Sequence, residues 1–293
     1  MLHGDQKNKQ HNRKLIAIDM DGTLIGENGI SNDDKEAILA AESAGHIVAI
    51  VSGRSDTSVA ELLKEEGLDH LPISGSNGAI TIVDAIEINR VSMPVKLVEK
   101  IVDYLDGSYP YLIYTSLGVF SKETFLAEVK AEFESTPGAK GSPFESYEFM
   151  AEYSNNHDVK HFTQLSEIFT QQAAIFKVFA FLPNPNKKEK CSQHVATFDD
   201  VTITSSYVDN ISISSASGHK GTGLQALAEH FNVPIEHTIA IGDNLNDLGM
   251  LHLAGLSIAM GNAEPEVKTA CDVTTLSNLQ SGVAHAIHQY VLT

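Results

Sequence analysis

Two aspartates, Asp19 and Asp21, stand one residue apart immediately after the apolar run Leu15 to Ile18. Carboxylates that close repel each other, and burial penalises each charged form. Such a pair at a strand end points to a metal ion or a reacting phosphate. Three further candidates sit in comparable places. Ser52 and Gly53 follow "VAIV", Lys220 opens a helical segment, and Asp243 and Asp247 follow "TIAI". Each has a plain alternative: an Asp-Gly turn, a Ser-Gly loop, a solvated lysine, a helix cap. Their joint occurrence in this order favours chemistry. Together they fit phosphoryl transfer, which needs a nucleophile, a proton donor for the leaving oxygen, and positive charge on the transferred oxygens. Mg2+ prefers a few carboxylates together with waters and substrate oxygens. Asp19, Asp243 and the main-chain carbonyl of Asp21 could supply its ligands, with Lys220 offsetting the repulsion among the acids. The Ser52 hydroxyl, the amides near Gly53 and a helix N-terminus could bind phosphate oxygens.

The elements that must carry these residues are readable from hydropathy. "LIAID" and "HIVAIVSG" are continuous apolar runs, the mark of strands buried on both faces of a parallel sheet. Between them Ser31 caps the helix "NDDKEAILAAESAG", which has acids in its first turn and Gly45 at its end. "RSDTSVAELLKEEG" is a second helix, closed by Gly67. This alternation predicts an α/β protein with a doubly wound, Rossmann-like parallel sheet. Ligands of such sheets bind outside the carboxyl ends of the strands, so one sheet edge could gather every candidate.

The rhythm changes after Val83. "AITIVDAIEINRVSM" predicts a β-hairpin and Pro94 the start of a helix; "YLIYTSLGVF" and "AAIFKVFAFLP" read as strands. "TFLAEVKAEFES" and "NKKEKCSQHVATF" read as helices, and "VTITSSYVDNISISS" as a final hairpin. The α/β pattern returns near Lys220. The expected organisation is a core of residues 1–91 and 217–293, with 1–13 as a disordered tail, and an inserted α+β cap of residues 92–216.

The order "DMDGT", "VSGR", "HKG" and "GDNLND" resembles the four motifs of the haloacid dehalogenase-like superfamily. "NGA" at 77–79, "AMGNA" at 259–263 and the large insert between the second and third motifs resemble its Cof-type phosphatases. The resemblance spans residues 14–91 and 217–293. It implies that Asp19 is a nucleophile forming an aspartyl-phosphate and Asp21 the general acid, then the base that activates water. It implies that Thr23 holds the motif's geometry and that Ser52, Gly53 and Lys220 bind the phosphoryl group. It also implies that Asn246 contacts metal or phosphate and that Arg54 faces the substrate; His219, which adjoins Lys220, could face the substrate too. The implied Mg2+ residues are Asp19, Asp21, Asp243 and Asp247, with Asp247 supporting the metal or Lys220. The segment before Lys220, "DNISISSASGHKG", lacks the Glu-and-Pro wording of many relatives, which leaves the cap contacts open. Tyr207, Asn210 and Ser215 are candidates for them.

With 293 residues and a net charge of −18, the chain disfavours nucleic acid and anionic membranes as partners. Cys191 and Cys271 lack CxxC spacing, and no apolar run approaches the ~20 residues of a membrane span. The expectation is a cytoplasmic enzyme acting on a small phosphorylated metabolite, a sugar phosphate first. A phosphomutase of the same superfamily and a non-catalytic sensor of a phosphorylated ligand are the competing readings.

Overall fold

In the computed structural model, residues 13–27, 29–136, 159–205 and 208–292 are described here. The chain divides into two compact units: one runs to Arg90 and resumes at Gly218, and the other spans Val91–Ser217.

The first unit begins with β1 (Leu15–Ile18), every residue of which is buried, and a small antiparallel ribbon, β2 (Ile25–Gly26) with β3 (Gly29–Ile30). Helix α1 (Asn32–Ser43) follows; the Ser31 hydroxyl accepts from the Asp34 N–H at 3.1 Å, so its N-terminus is capped as expected. Then come β4 (Ile47–Val51), α2 (Asp56–Glu65), β5 (Ile73–Gly75), β6 (Ile80–Val83) and β7 (Ile86–Arg90). β6 and β7 form the expected hairpin. Its two-residue turn, Asp84 and Ala85, has φ of 49° and 61°, the left-handed geometry a tight hairpin requires.

The second unit comprises α3 (Val95–Leu105), β8 (Tyr111–Thr115), β9 (Gly118–Lys122), α4 (Phe125–Ser135), β10 (Lys160–Phe162), α5 (Ser166–Thr170), β11 (Ile175–Phe181), α6 (Pro185–Val195), β12 (Val201–Thr204) and β13 (Asn210–Ser215). Its sheet runs β10-β9-β8-β11-β13-β12, antiparallel except for β10 against β9. One face, with Ile113, Val178, Ala180, Ile211 and Ile213, packs with α3 and α6 residues such as Val98, Ile101 and Cys191. "YLIYTSLGVF" is not one strand. It turns back at Ser116-Leu117, because the Thr115 hydroxyl accepts from the Leu117 N–H and donates to the Gly118 carbonyl. Tyr109 and Tyr111 belong to the core of this unit.

The chain returns through α7 (Lys220–His230), β14 (Thr238–Gly242), α8 (Leu248–Leu251), β15 (Leu256–Ala259), α9 (Pro265–Ala270), β16 (Val273–Thr274) and α10 (Gly282–Tyr290). The first unit's sheet has eight strands in the order β16-β15-β14-β1-β4-β5-β6-β7. It is parallel from β16 to β5 and antiparallel beyond. β1 lies between β4 and β14, so the loops after all three emerge side by side. Apolar faces of α1, α2, α7 and α10 cover this sheet, which is why its central strands read as unbroken apolar runs. The expected tail at 1–13 lies, but for Arg13, outside the described residues, as does Tyr207. No helix among the described residues is long and apolar enough to cross a membrane.

Candidate active site

The site is built where β1 ends. The Asp19 N–H donates to the Ile241 carbonyl of β14 at 3.0 Å, extending the ladder by one residue and burying the carboxyl. The turn that follows is drawn onto the next strand's loop. The Thr23 hydroxyl donates to Asp243 Oδ1 at 2.9 Å, and Gly22 has φ +84° with its Cα against the Asp243 carboxylate. A side chain at Gly22 would be strained and would collide with that acid.

Lys220, the first residue of α7, is only 1% exposed. Its ammonium donates to Asp19 Oδ1 and to Asp247 Oδ1, each at 2.5 Å. The other oxygen of Asp247 accepts the N–H groups of Asp243 and Asn244, each at 2.9 Å. Asp247 thus fixes both the lysine and the loop carrying Asp243. Carboxylate oxygens of Asp19, Asp243 and Asp247 lie within 4.8 Å of one another, the one such group of acids, cysteines or histidines found among the described residues. Of the four residues expected at the metal, Asp21 is outside this cluster; its expected contribution was the main-chain carbonyl.

The electrostatics follow from crowding. Burial, then the Asp247 charge, pushes the Asp19 carboxyl well above the ordinary range, with Lys220 opposing. Burial and Asp247 likewise raise Asp243, against the Thr23 hydroxyl and the Asp19 carboxyl that hydrogen-bond it. Burial alone would drive the Lys220 ammonium toward its neutral form, but Asp19 and Asp247 outweigh it and leave its pKa raised. Were all three carboxyls ionised, one ammonium would leave two negative charges uncompensated in this largely buried space. An all-oxygen donor set with that uncompensated charge fits a hard divalent cation such as Mg2+. When bound, such an ion would neutralise the acids and the developing charge on a phosphoryl group.

The phosphate-side candidates come from β4. Ser52 is fully buried; its hydroxyl accepts the Arg54 N–H at 3.1 Å and its N–H donates to the Ser74 carbonyl at 2.8 Å. Gly53 lies against Asn77 and Asn246, and the Asn246 amide donates to Asn77 Oδ1 at 3.1 Å. Asp21 is the exposed member of its pair. Arg54 holds it through Nε to Oδ2 at 2.9 Å and Nη2 to Oδ1 at 2.7 Å. Arg54, expected to face the substrate, here engages the candidate acid instead. In this pairing both Asp21 oxygens accept from the Arg54 guanidinium. His219, which adjoins Lys220 and was a candidate to face the substrate, lays its ring against the backbone of Gly221 and Gly249. Two links escaped sequence reasoning, Arg54 to Asp21 and Asn77 to Asn246. The only signal for the second was the "NGA" triplet itself.

A family model of haloacid dehalogenase-like hydrolases matches residues 16–287. The chain belongs to that family. Its relatives within this hydrolase family include phosphatase YwpJ of Bacillus subtilis, 29% identical over 93% of this chain and 98% of the relative. Another from the same organism is the 5-amino-6-(5-phospho-D-ribitylamino)uracil phosphatase YwtE, 33% identical over 94% of this chain and 97% of the relative. A solved haloacid dehalogenase-like hydrolase from B. subtilis superposes with a TM-score of 0.79 at 26% identity, covering 94% of this chain and 99% of that one. The chain is a Cof-type phosphatase of this family.

Proposed function

We propose that this protein is a Mg2+-dependent phosphatase that removes the phosphate of a small sugar or sugar-alcohol phosphate through an aspartyl-phosphate on Asp19. The observation that carries it is Lys220 bridging Asp19 and Asp247, with Asp243 within reach of both. Asp19 attacks phosphorus, and the leaving alkoxide takes a proton from Asp21. Asp21 then accepts a proton from water, whose oxygen attacks the aspartyl-phosphate; Asp19 is regenerated and inorganic phosphate leaves. The Ser52 hydroxyl, the Gly53 N–H and Lys220 hold the phosphoryl oxygens, and Asn246 completes that set. Asp19, Asp243 and the main-chain carbonyl of Asp21 would hold the ion, with Asp247 keeping Lys220 and the Asp243 loop in place.

The substrate class is supported by YwtE, whose named substrate carries its phosphate on a ribityl chain. A sugar phosphate, expected from the sequence, presents the same group: a phosphomonoester on a polyhydroxylated carbon chain. Cytoplasmic location follows the same reading. The test is phosphate release from a panel of sugar, polyol, nucleotide and aryl phosphomonoesters, with and without Mg2+. Turnover confined to Mg2+ and strongest on a polyol or sugar phosphate is the expected result. Turnover that persists in a metal-free chelating buffer, or conversion of a hexose 1-phosphate to its 6-phosphate without free phosphate, would overturn it.

A further inference from the structure

The triplet Asn77-Gly78-Ala79, singled out in the sequence, has no part in the chemistry above. In the structure it belongs to a bend at the end of β5 in an unusual conformation. Ser76, Asn77 and Gly78 have φ of 51°, 58° and 87°, three left-handed residues in a row, two of them not glycine. Non-glycine residues in that region are costly and persist only where the surroundings demand them. Three parts of the site dock on this bend. The Asn77 N–H donates to the Ser52 carbonyl at 2.9 Å. Asn77 Oδ1 accepts from Asn246 at 3.1 Å and lies 3.1 Å from where a Cβ on Gly53 would stand. Gly78 packs so closely on the His219 carbonyl, the residue before Lys220, that a Cβ there would collide with it. The Asn77 side chain is buried and sits between the loops after β4 and β14.

We propose that Asn77 is a positioning residue for the transferred phosphoryl group: its side-chain oxygen orients the Asn246 amide and fixes the gap between the Ser52–Gly53 loop and the Asp243–Asp247 loop. This rests on the phosphatase reading. Its backbone conformation serves the docking of Ser52 and His219, and its amide serves Asn246. The two roles are separable, because glycine adopts φ near 58° without strain and keeps the main-chain N–H.

The test compares wild type, Asn77→Gly, Asn246→Ala and the double variant on the best phosphomonoester of the panel in Mg2+, with melting temperatures alongside. Asn77→Gly should melt within about 3 °C of wild type. Its kcat should fall roughly 10- to 100-fold, the cost of a misplaced group. The double variant should be no slower than Asn246→Ala, because Asn77 acts through Asn246. Any of three results overturns the role: Asn77→Gly turning over within about twofold of wild type, losses that multiply in the double variant, or a rate loss accompanied by a large loss of melting temperature. A wild-type chain that releases no phosphate in Mg2+ overturns the phosphatase reading first, and is seen before any variant is compared.

Discussion

Two lysines, one in each unit, are shifted in opposite directions. Lys220 is buried among Asp19 and Asp247, whose charges outweigh burial and hold it protonated. Lys177 of β11 lies 4.3 Å from the centre of the Tyr114 ring, and burial pulls its pKa down to about 8. The first unit concentrates buried charge of both signs at one sheet edge, where each member compensates another. In the second, burial governs the lysine's charge. Compensation on this scale, which stability alone does not require, marks a place where charge is used.

The largest effect expected from disturbing this contrast is on turnover. Asp19→Asn should lower phosphate release by at least about 10³-fold. It should leave the fold intact, since Asp247 still holds Lys220; steady-state rates and a thermal melt check both halves. Lys220→Met tests compensation itself. It strands the buried acids and should cost roughly 3–5 kcal/mol at neutral pH, read by denaturant titration. The same change at Lys177 should act on the pH dependence of stability instead. Between about pH 8 and 10.5 the unfolded chain keeps the Lys177 proton while the folded chain has lost it, so wild-type stability rises across that window. Lys177→Met should remove this rise, read by denaturant titration across the same window. Equal destabilisation by both methionine variants would erase the contrast. Arg54→Ala, at the exposed margin of the site, should change kcat by about tenfold with little change in melting temperature. A pH–rate profile would show whether Asp21 is released or misplaced.

How legible these two regions were in the sequence differs for the same reason. The strands "LIAI", "IVAIV" and "TIAIG" are buried at every position and, but for Thr238, apolar throughout because helices cover both faces of their sheet, so pattern and place were plain together. Asp19, Ser52, Lys220, Asp243 and Asp247 stand next to strand ends or a helix start, and the topology of such a sheet gathers them. Lys220 by itself reads as a solvated lysine; what buries it is the arrival of two acids 201 and 27 residues away. The bond between Asn77 and Asn246 spans 169 residues and joins two amides, a residue type with no periodic signature. In the second unit the turn between β8 and β9 is hidden by the apolar residues around it: Gly118, with φ of 111°, is its one turn residue, and the Thr115 hydroxyl completes it.

The bond from Lys220 to Asp19 also sets an order of events during synthesis. The two residues are separated by 201 positions, and the β14 strand that flanks β1 is made later still. At about 5–20 residues per second, a ribosome takes on the order of 10–40 s to deliver the lysine after the aspartate. Over that interval β1 has β4 on one side and no neighbour on the other, and its terminal acid has no ammonium. The second unit, whose sheet pairs within Val91–Ser217, needs nothing made after it. A nascent chain therefore completes its insert before the edge that gathers Asp19, Lys220 and Asp243, and a chain halted at any point before Lys220 carries Asp19 without the ammonium that pairs with it.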